Sequence, residues 1–106
     1  MKRVLFDHCV PRPFRDMLAD CNVSTTFECG WATLKNGELI KAAEKARFDV
    51  LLTSDKNLRY QQHLASRRLA IIELPTNRLA LLPAIAPKVN QILHTIKKGE
   101  YRTIPA

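Results

Sequence analysis

Cysteine is scarce in this sequence, and its spacing excludes the sites that cysteines usually build. The chain has three cysteines, Cys9, Cys21 and Cys29, and no Cys-x-x-Cys pair. An odd number of cysteines at these spacings indicates neither a disulfide framework nor a zinc knuckle. We therefore expect free thiols that serve as small core residues, in a protein of the reducing cytoplasm.

Long hydrophobic runs are also missing. The longest apolar stretch, residues 79–87, is interrupted by two prolines and flanked by Arg78 and Lys88, so it cannot span a bilayer. Near the N-terminus, the apolar run 4–6 meets Asp7 at once, which is too short a run for a signal peptide. These features predict a protein without a membrane segment.

Acidic residues are outnumbered by basic ones. The chain has 17 Lys and Arg against 10 Asp and Glu, a formal charge of +7 at pH 7. Such a surplus favours polyanionic partners through counterion release, with RNA or DNA ahead of anionic membranes. The 106 residues, 46% hydrophobic and 25% charged, are enough for one packed domain covering residues 1–106 and leave no room for a second.

Short apolar runs alternate with helical patterns along the chain. Strands are predicted at residues 4–6, 23–27, 49–53 and 69–74, with an edge strand at 101–104. This alternation predicts an α/β fold with a mostly parallel sheet and helices on both faces, as in a flavodoxin-like or PIN-like three-layer α/β/α sandwich.

The helical patterns lie between these runs. The predicted helices follow Pro13 and cover residues 38–47, 57–64 and 82–96. Pro87 must either kink the last of them or mark its true first turn. Gly99, beside Lys97 and Lys98, is predicted to end it.

Three carboxylates are candidates for one metal site. Asp7 and Asp55 each follow the end of a predicted buried strand, and Glu38 opens the middle helix. Because the carboxyl ends of parallel strands share one edge of a sheet, residues far apart in sequence can meet there. Carboxylates gathered in one cleft repel each other unless a hard cation such as Mg²⁺ or Mn²⁺ lies between them. Such a site could hydrolyse a phosphodiester.

Each carboxylate also has a purely structural interpretation. Asp7 and Asp55 could cap the helices that follow them, and the helix dipole alone favours Glu38 in a first turn. Basic side chains near the candidate site could hold a nucleic-acid backbone. They are Arg12, Lys56 and Arg59.

Three segments of the chain resemble a known family. They read VLFDHCVPRPFRDML, GWATLKNGELIKAAEKARFDVLLTSDKNLRYQQHL and LAIIELPTNRL. Together they look like the PIN-like family DUF5615, related to the Mut7-C ribonuclease domain, and the similarity runs from Lys2 to about Ile96. The resemblance implies a metal-dependent ribonuclease, often the toxin of a toxin–antitoxin pair. It also implies that Asp7, Glu38 and Asp55 are the acidic site residues.

The chain departs from the family pattern at two positions. Close relatives often have Asp where this chain has Asn36 and Asn57. An amide can still bind a metal or orient a water, but it adds no charge, so metal affinity should fall. An endoribonuclease acting on single-stranded RNA therefore stands beside a second hypothesis, a catalytically degenerate module that binds RNA or a protein partner, such as an antitoxin or a second copy of the chain.

A phosphoacceptor receiver domain is a third, weaker hypothesis. It would use Asp55 after the third strand and Asp7 after the first. That fold requires a second acid beside the first and a lysine after the last strand, but the chain has His8 in the first place and Pro75 where the fourth strand ends.

Overall fold

The structure, a computed structural model, describes residues 1–61 and 68–105, apart from the side chains of Asn36, Arg59, Tyr60 and Gln61. The strands are β1 (Lys2–Phe6), β2 (Cys21–Thr25), β3 (Val50–Thr53), β4 (Ala70–Glu73) and β5 (Tyr101–Thr103). The α-helices are α1 (Asn36–Lys45) and α2 (Ala86–Thr95). Short 3-10 helices cover Arg12–Met17, Lys56–Gln61 and Leu79–Ala84.

All five strands form one parallel sheet in the order β2-β1-β3-β4-β5. The register pairs Phe6 with Leu52 and Thr53 with Glu73, so the strand ends lie level with one another. The predicted α/β class and parallel sheet are confirmed, including the edge strand β5. The finer prediction, a three-layer PIN-like sandwich, stays a prediction.

Alternating strand residues pack into two apolar clusters. Val4 and Phe6 belong to a cluster that includes residues of α2 such as Val89 and Ile92. Leu5 belongs to a second cluster with the α1 residues Leu39, Ile40 and Ala43. Because successive strand residues point to opposite faces, each face of the sheet has its own apolar cover. Each fully buried large side chain stabilises the fold by about 1.5–3 kcal/mol.

Prolines lie in the helices whose type or start differs from expectation. The segment after Pro11 is a 3-10 helix with Phe14 buried, and Pro13 lies in its first turn, where a missing N–H costs little. Pro87 lies in the first turn of α2, so it marks the true start of that helix. Residues 79–84 form a separate 3-10 helix that contains Pro83.

Two boundaries predicted from the sequence were wrong. The helix α2 ends at Thr95, and Gly99 instead occupies a turn at φ 78°, where its N–H donates to the carbonyl of Arg68. Strand β2 begins at Cys21, two residues before the predicted start. The predicted helix at 57–64 is a 3-10 helix as far as Gln61, and its continuation to residue 64 lies outside the described residues.

The three cysteines are free and partly buried against the two clusters, as expected. In the part of the chain that the structure describes, no helix has the length and apolar character needed to cross a membrane.

Candidate functional site

The strand order places a reversal of direction next to β1. The chain passes from β1 to β2 on one side and then returns to β3 on the other side of β1. In open parallel sheets, ligands bind outside the carboxyl ends of the strands at such a switch point. Asp7 directly follows β1, and Asp55 follows β3 by one intervening residue. Two of the three predicted carboxylates therefore flank the switch point.

Asp7 is a buried carboxylate held by neutral donors. The residue is only 7% exposed. Its Oδ2 accepts a hydrogen bond from the Thr53 hydroxyl at 2.7 Å, and its Oδ1 accepts one from the backbone N–H of His8 at 2.6 Å. Within the described chain the ion pair found is Arg15–Glu28, so no cationic side chain offsets the Asp7 charge. Burying a charge this way is costly unless a cation compensates it.

Asp55 is linked to Asp7 through Thr53. The backbone N–H of Asp55 donates to Thr53 Oγ1 at 2.9 Å. Asp55 Oδ1 in turn accepts the backbone N–H of Asn57 at 2.9 Å, so it caps the 3-10 helix that follows. Asp55 therefore caps the following helix, as its structural interpretation predicted. Its carboxylate is half-exposed, and this cap uses only Oδ1. Asn57 itself is exposed.

Glu38 lies on a different element from the other two carboxylates. It lies exposed in the first turn of α1, where its backbone N–H donates to the carbonyl of Lys35. Among residues 1–61 and 68–105, no three His, Cys, Asp or Glu side chains form a group that could hold a metal. The side chain of Asn36 lies outside the described residues. Asp7 and Asp55 are the two predicted ligands that follow strand ends, and a Mg²⁺ ion can be held through one or two carboxylates while it keeps several waters.

A cleft of about 440 Å³ opens beside Asp7. It is lined by Asp7, His8, Val10, Pro11, Arg12, Thr25, Phe27 and Glu28. Arg12 is exposed on the cleft, and Lys56 is exposed next to Asp55, so two of the three predicted cationic contacts lie near the strand ends. The side chain of the third, Arg59, lies outside the described residues.

His8 ties two loops together beside the cleft. Its Nε2 lies 2.7 Å from the carbonyl oxygen of Leu34, and its Nδ1 lies 2.7 Å from Thr26 Oγ1. A carbonyl only accepts, so Nε2 carries the hydrogen and Nδ1 of the neutral ring accepts from the threonine hydroxyl. No partner for His8 could be identified from the sequence, whereas the fold supplies two, Thr26 and Leu34.

An ion pair fixes the loop after β2. Arg15 binds Glu28 with two nearly parallel hydrogen bonds of 3.1 and 2.9 Å. The Arg15 bond, followed by the backbone N–H of Thr25, lowers the pKa of Glu28 to about 2. The same bond raises the pKa of Arg15. The pair therefore stays charged over the whole physiological range.

Sequence analysis missed two residues at the strand ends. Thr53, fully buried, connects Asp7 and Asp55, and nothing in its surroundings in the sequence marks it. Glu73 ends β4 in register with Thr53, is 4% exposed, and accepts the Tyr101 hydroxyl at 2.6 Å. A carboxylate closing the apolar run AIIE is the same signal that identified Asp7, so Glu73 could have been found.

A second, larger groove lies at the opposite edge of the sheet. It measures about 1010 Å³, and its walls include strand starts such as Lys2 and Cys21 and the end of α2. Its side chains include five Lys and Arg and three Asp and Glu. That ratio is the same as in the whole chain, 17 to 10, so charge does not distinguish this groove as an anion site.

No protein-family model, no curated protein and no solved structure matches this chain. The likeness to the PIN-like family consequently stays a prediction from the three quoted segments, and the function must be argued from the geometry of the switch point.

Proposed function

We propose that this protein is a PIN-like, metal-dependent endoribonuclease that cleaves single-stranded RNA at the carboxyl edge of its sheet. The observation that carries the proposal is the position of Asp7. This carboxylate is buried at the switch point between β1 and β3, opens onto a cleft and has no cationic partner among the described residues. The basic balance of the chain favours an RNA substrate over a neutral one.

Each residue would have a distinct task. Asp7 and Asp55 would bind Mg²⁺ or Mn²⁺, with Thr53 holding the Asp7 carboxylate in place through its hydroxyl. When bound, such a cation supplies charge neutralisation and an activated water to phosphodiester hydrolysis. Exposed Arg12 and Lys56 would hold the phosphates on either side of the scissile bond. Glu38 remains the predicted third acid, and Asn36, Asn57 and Arg59 remain predicted contacts.

A second candidate is a degenerate PIN-like module that binds RNA or a protein without cleaving. The observation that favours it is that the described residues contain no group of three His, Cys, Asp or Glu side chains that could hold a metal. A site with fewer negative charges binds a cation more weakly but also repels RNA phosphates less. An antitoxin or a second copy of the chain would be the protein partner that the resemblance implies.

The test is a cleavage assay with end-labelled single-stranded RNA. Purified protein is incubated in Mn²⁺, in Mg²⁺ and in EDTA, beside the variants Asp7→Asn and Asp55→Asn. A matched control is Asp16→Asn, because Asp16 is an exposed carboxylate on the first 3-10 helix. We expect metal-dependent cleavage that falls by about 100-fold or more in both site variants and is unchanged in the control.

Two results would overturn the nuclease. If folded wild-type protein binds the RNA equally in metal and in EDTA but never cleaves it, the degenerate module is the better description. If Asp7→Asn cleaves as well as wild type, the activity has another origin, either a different site or a contaminating nuclease.

A further inference from the structure

Phe27 is a large apolar side chain exposed where burial would be favourable. The residue is 66% exposed and lies in the turn directly after β2. Its ring lines the same cleft as Asp7 and Arg12. An exposed aromatic beside charged groups in a concave site indicates a binding surface rather than a packing residue.

The turn that carries Phe27 is fixed from one side by Glu28. The carboxylate of Glu28 accepts the backbone N–H of Thr25 at 2.9 Å, and Thr25 Oγ1 accepts the backbone N–H of Glu28 at 3.1 Å. The guanidinium of Arg15 holds the same carboxylate and also donates to the carbonyl of Val23 at 3.2 Å. These bonds join the turn to β2 and to the first 3-10 helix.

The turn is fixed from the other side by His8. The His8 ring is bonded to Thr26 and Leu34, and it meets the Phe27 ring edge-on, with centroids 5.9 Å apart at 63°. The backbone N–H of Trp31 closes the turn onto the carbonyl of Thr26 at 2.8 Å. Phe27 is therefore presented by a loop whose order is already established, which reduces the entropy lost when a ligand binds.

The cleft suits one nucleotide with its base unpaired. Its volume, about 440 Å³, falls in the range of small-ligand sites, about 300–1,000 Å³. A base has an apolar face to stack on Phe27 and polar edges to meet the charged rim, whereas a purely apolar protein side chain would leave Arg12 partly desolvated without a partner. Bases in a duplex are already stacked on one another, so only single strands can offer such a face.

We propose that Phe27 is the stacking platform for one unpaired base of single-stranded RNA, with Arg12 on its adjoining phosphate. The inference rests on the proposed function in taking RNA as the ligand, and it adds the subsite that selects single strands. It does not require cleavage, because stacking on Phe27 involves neither Asp7 nor a metal.

The test measures binding in EDTA, where a metal-dependent enzyme cannot cut. Fluorescence anisotropy gives the dissociation constants of wild type, Phe27→Leu and Phe27→Tyr for a short single-stranded RNA and for an abasic oligonucleotide of equal length. Leu81→Ala controls for the loss of an exposed apolar side chain elsewhere, since Leu81 is 49% exposed. We expect wild type, Phe27→Tyr and Leu81→Ala to prefer the base-bearing strand, and Phe27→Leu to lose this preference by about 5-fold or more.

The proposal is overturned if folded wild type binds the two oligonucleotides equally, or if Phe27→Leu keeps the full preference for bases. If wild type cleaves RNA in Mn²⁺ but gives either of these binding results, the nuclease is supported and the Phe27 subsite is rejected. Conversely, loss of the preference in Phe27→Leu by a protein that never cleaves would support the subsite and reject the nuclease.

Discussion

The hydroxyl of Thr53 donates to Oδ2 of Asp7 at 2.7 Å and at the same time accepts the backbone N–H of Asp55 at 2.9 Å. One buried oxygen thus joins the two carboxylate-bearing strand ends across the switch point. Thr53 has no exposed surface, so water cannot replace either bond if the hydroxyl is lost. This single side chain sets the orientation of the Asp7 carboxylate.

Replacing Thr53 by valine should destabilise the fold while preserving its shape. The change removes the hydroxyl, so Asp7 Oδ2 loses its hydroxyl donor and the Asp55 N–H loses its acceptor, at a cost of about 1–3 kcal/mol for a buried group left unsatisfied. Thr53→Ser keeps the hydroxyl and should cost distinctly less. The measurement is urea denaturation of both variants beside wild type. Equal stability of the valine and serine variants would show that the hydroxyl is not what matters at this position.

Replacing His8 by alanine should loosen the loop that runs from Thr26 to Leu34. The imidazole bridges the two ends of this loop, and its loss leaves the Thr26 hydroxyl and the Leu34 carbonyl to find new partners. We expect the Trp31 amide, bonded to Thr26, to exchange its hydrogen faster. Hydrogen exchange followed by NMR measures this directly. The control is His94→Ala, an exposed residue at the end of α2, and an unchanged Trp31 rate in His8→Ala would refute the bridging role.

The Arg15–Glu28 pair should give stability a defined acid dependence. The pKa of Glu28 is lowered in the fold from 4.5 to about 2, so the stabilisation is complete above about pH 4.5 and is lost as the pH falls towards 2. The difference in unfolding free energy between wild type and Glu28→Gln should be constant above pH 4.5 and shrink below it. Denaturation curves at a series of pH values test this, with added salt reducing the difference since the pair is partly exposed. A difference that grows on acidification would contradict the assigned sign.

Glu38→Gln should reduce cleavage less than Asp7→Asn. Glu38 is exposed and belongs to no described group that could hold a metal, whereas Asp7 is buried at the switch point. The measurement is the Mn²⁺ concentration that gives half-maximal cleavage, compared among wild type, Glu38→Gln and Asp7→Asn. Equal losses in the two variants would mean that Glu38 moves into the site when metal and RNA bind. As a control for folding, the unfolding temperatures of both variants are measured and should lie near that of wild type.

Much of the fold could be predicted because short stretches of the sequence are enough to indicate individual strands and helices. The apolar runs that end in Asp7 and near Asp55 are buried parallel strands, and the amphipathic run after Asn36 is helix α1. The helix types around Pro13 and Lys56 could not be predicted in the same way, because short segments exchange α and 3-10 geometry at little cost. Boundaries such as the start of β2 at Cys21 depend on which residues β1 pairs with, and that pairing is not a local property.

The candidate site was predictable only in part. A carboxylate after a buried strand is visible in the sequence, which is why Asp7 and Asp55 were found and why Glu73 could have been. Thr53, His8 and Phe27 could not be found this way, since threonine, histidine and phenylalanine are ordinary residues until the fold gives them neighbours. Glu38 fits the pattern in type and position, but it lies exposed in the first turn of α1 and not at a strand end.

The sequence by itself determined the composition of the core, the alternation of strands and helices, and the placement of two acids at strand ends, because hydrophobic period and turn residues act over a few neighbours. Only the tertiary structure decided that β1 lies between β2 and β3 and that Thr53 bridges Asp7 and Asp55. It also decided that the turn carrying Phe27 is held beside the cleft by Arg15, Glu28 and His8. The contact of Thr53 with Asp7 joins residues 46 positions apart, and that of Arg15 with Glu28 joins residues 13 positions apart. They form because burying both faces of a parallel sheet forces its strand ends to meet at one edge.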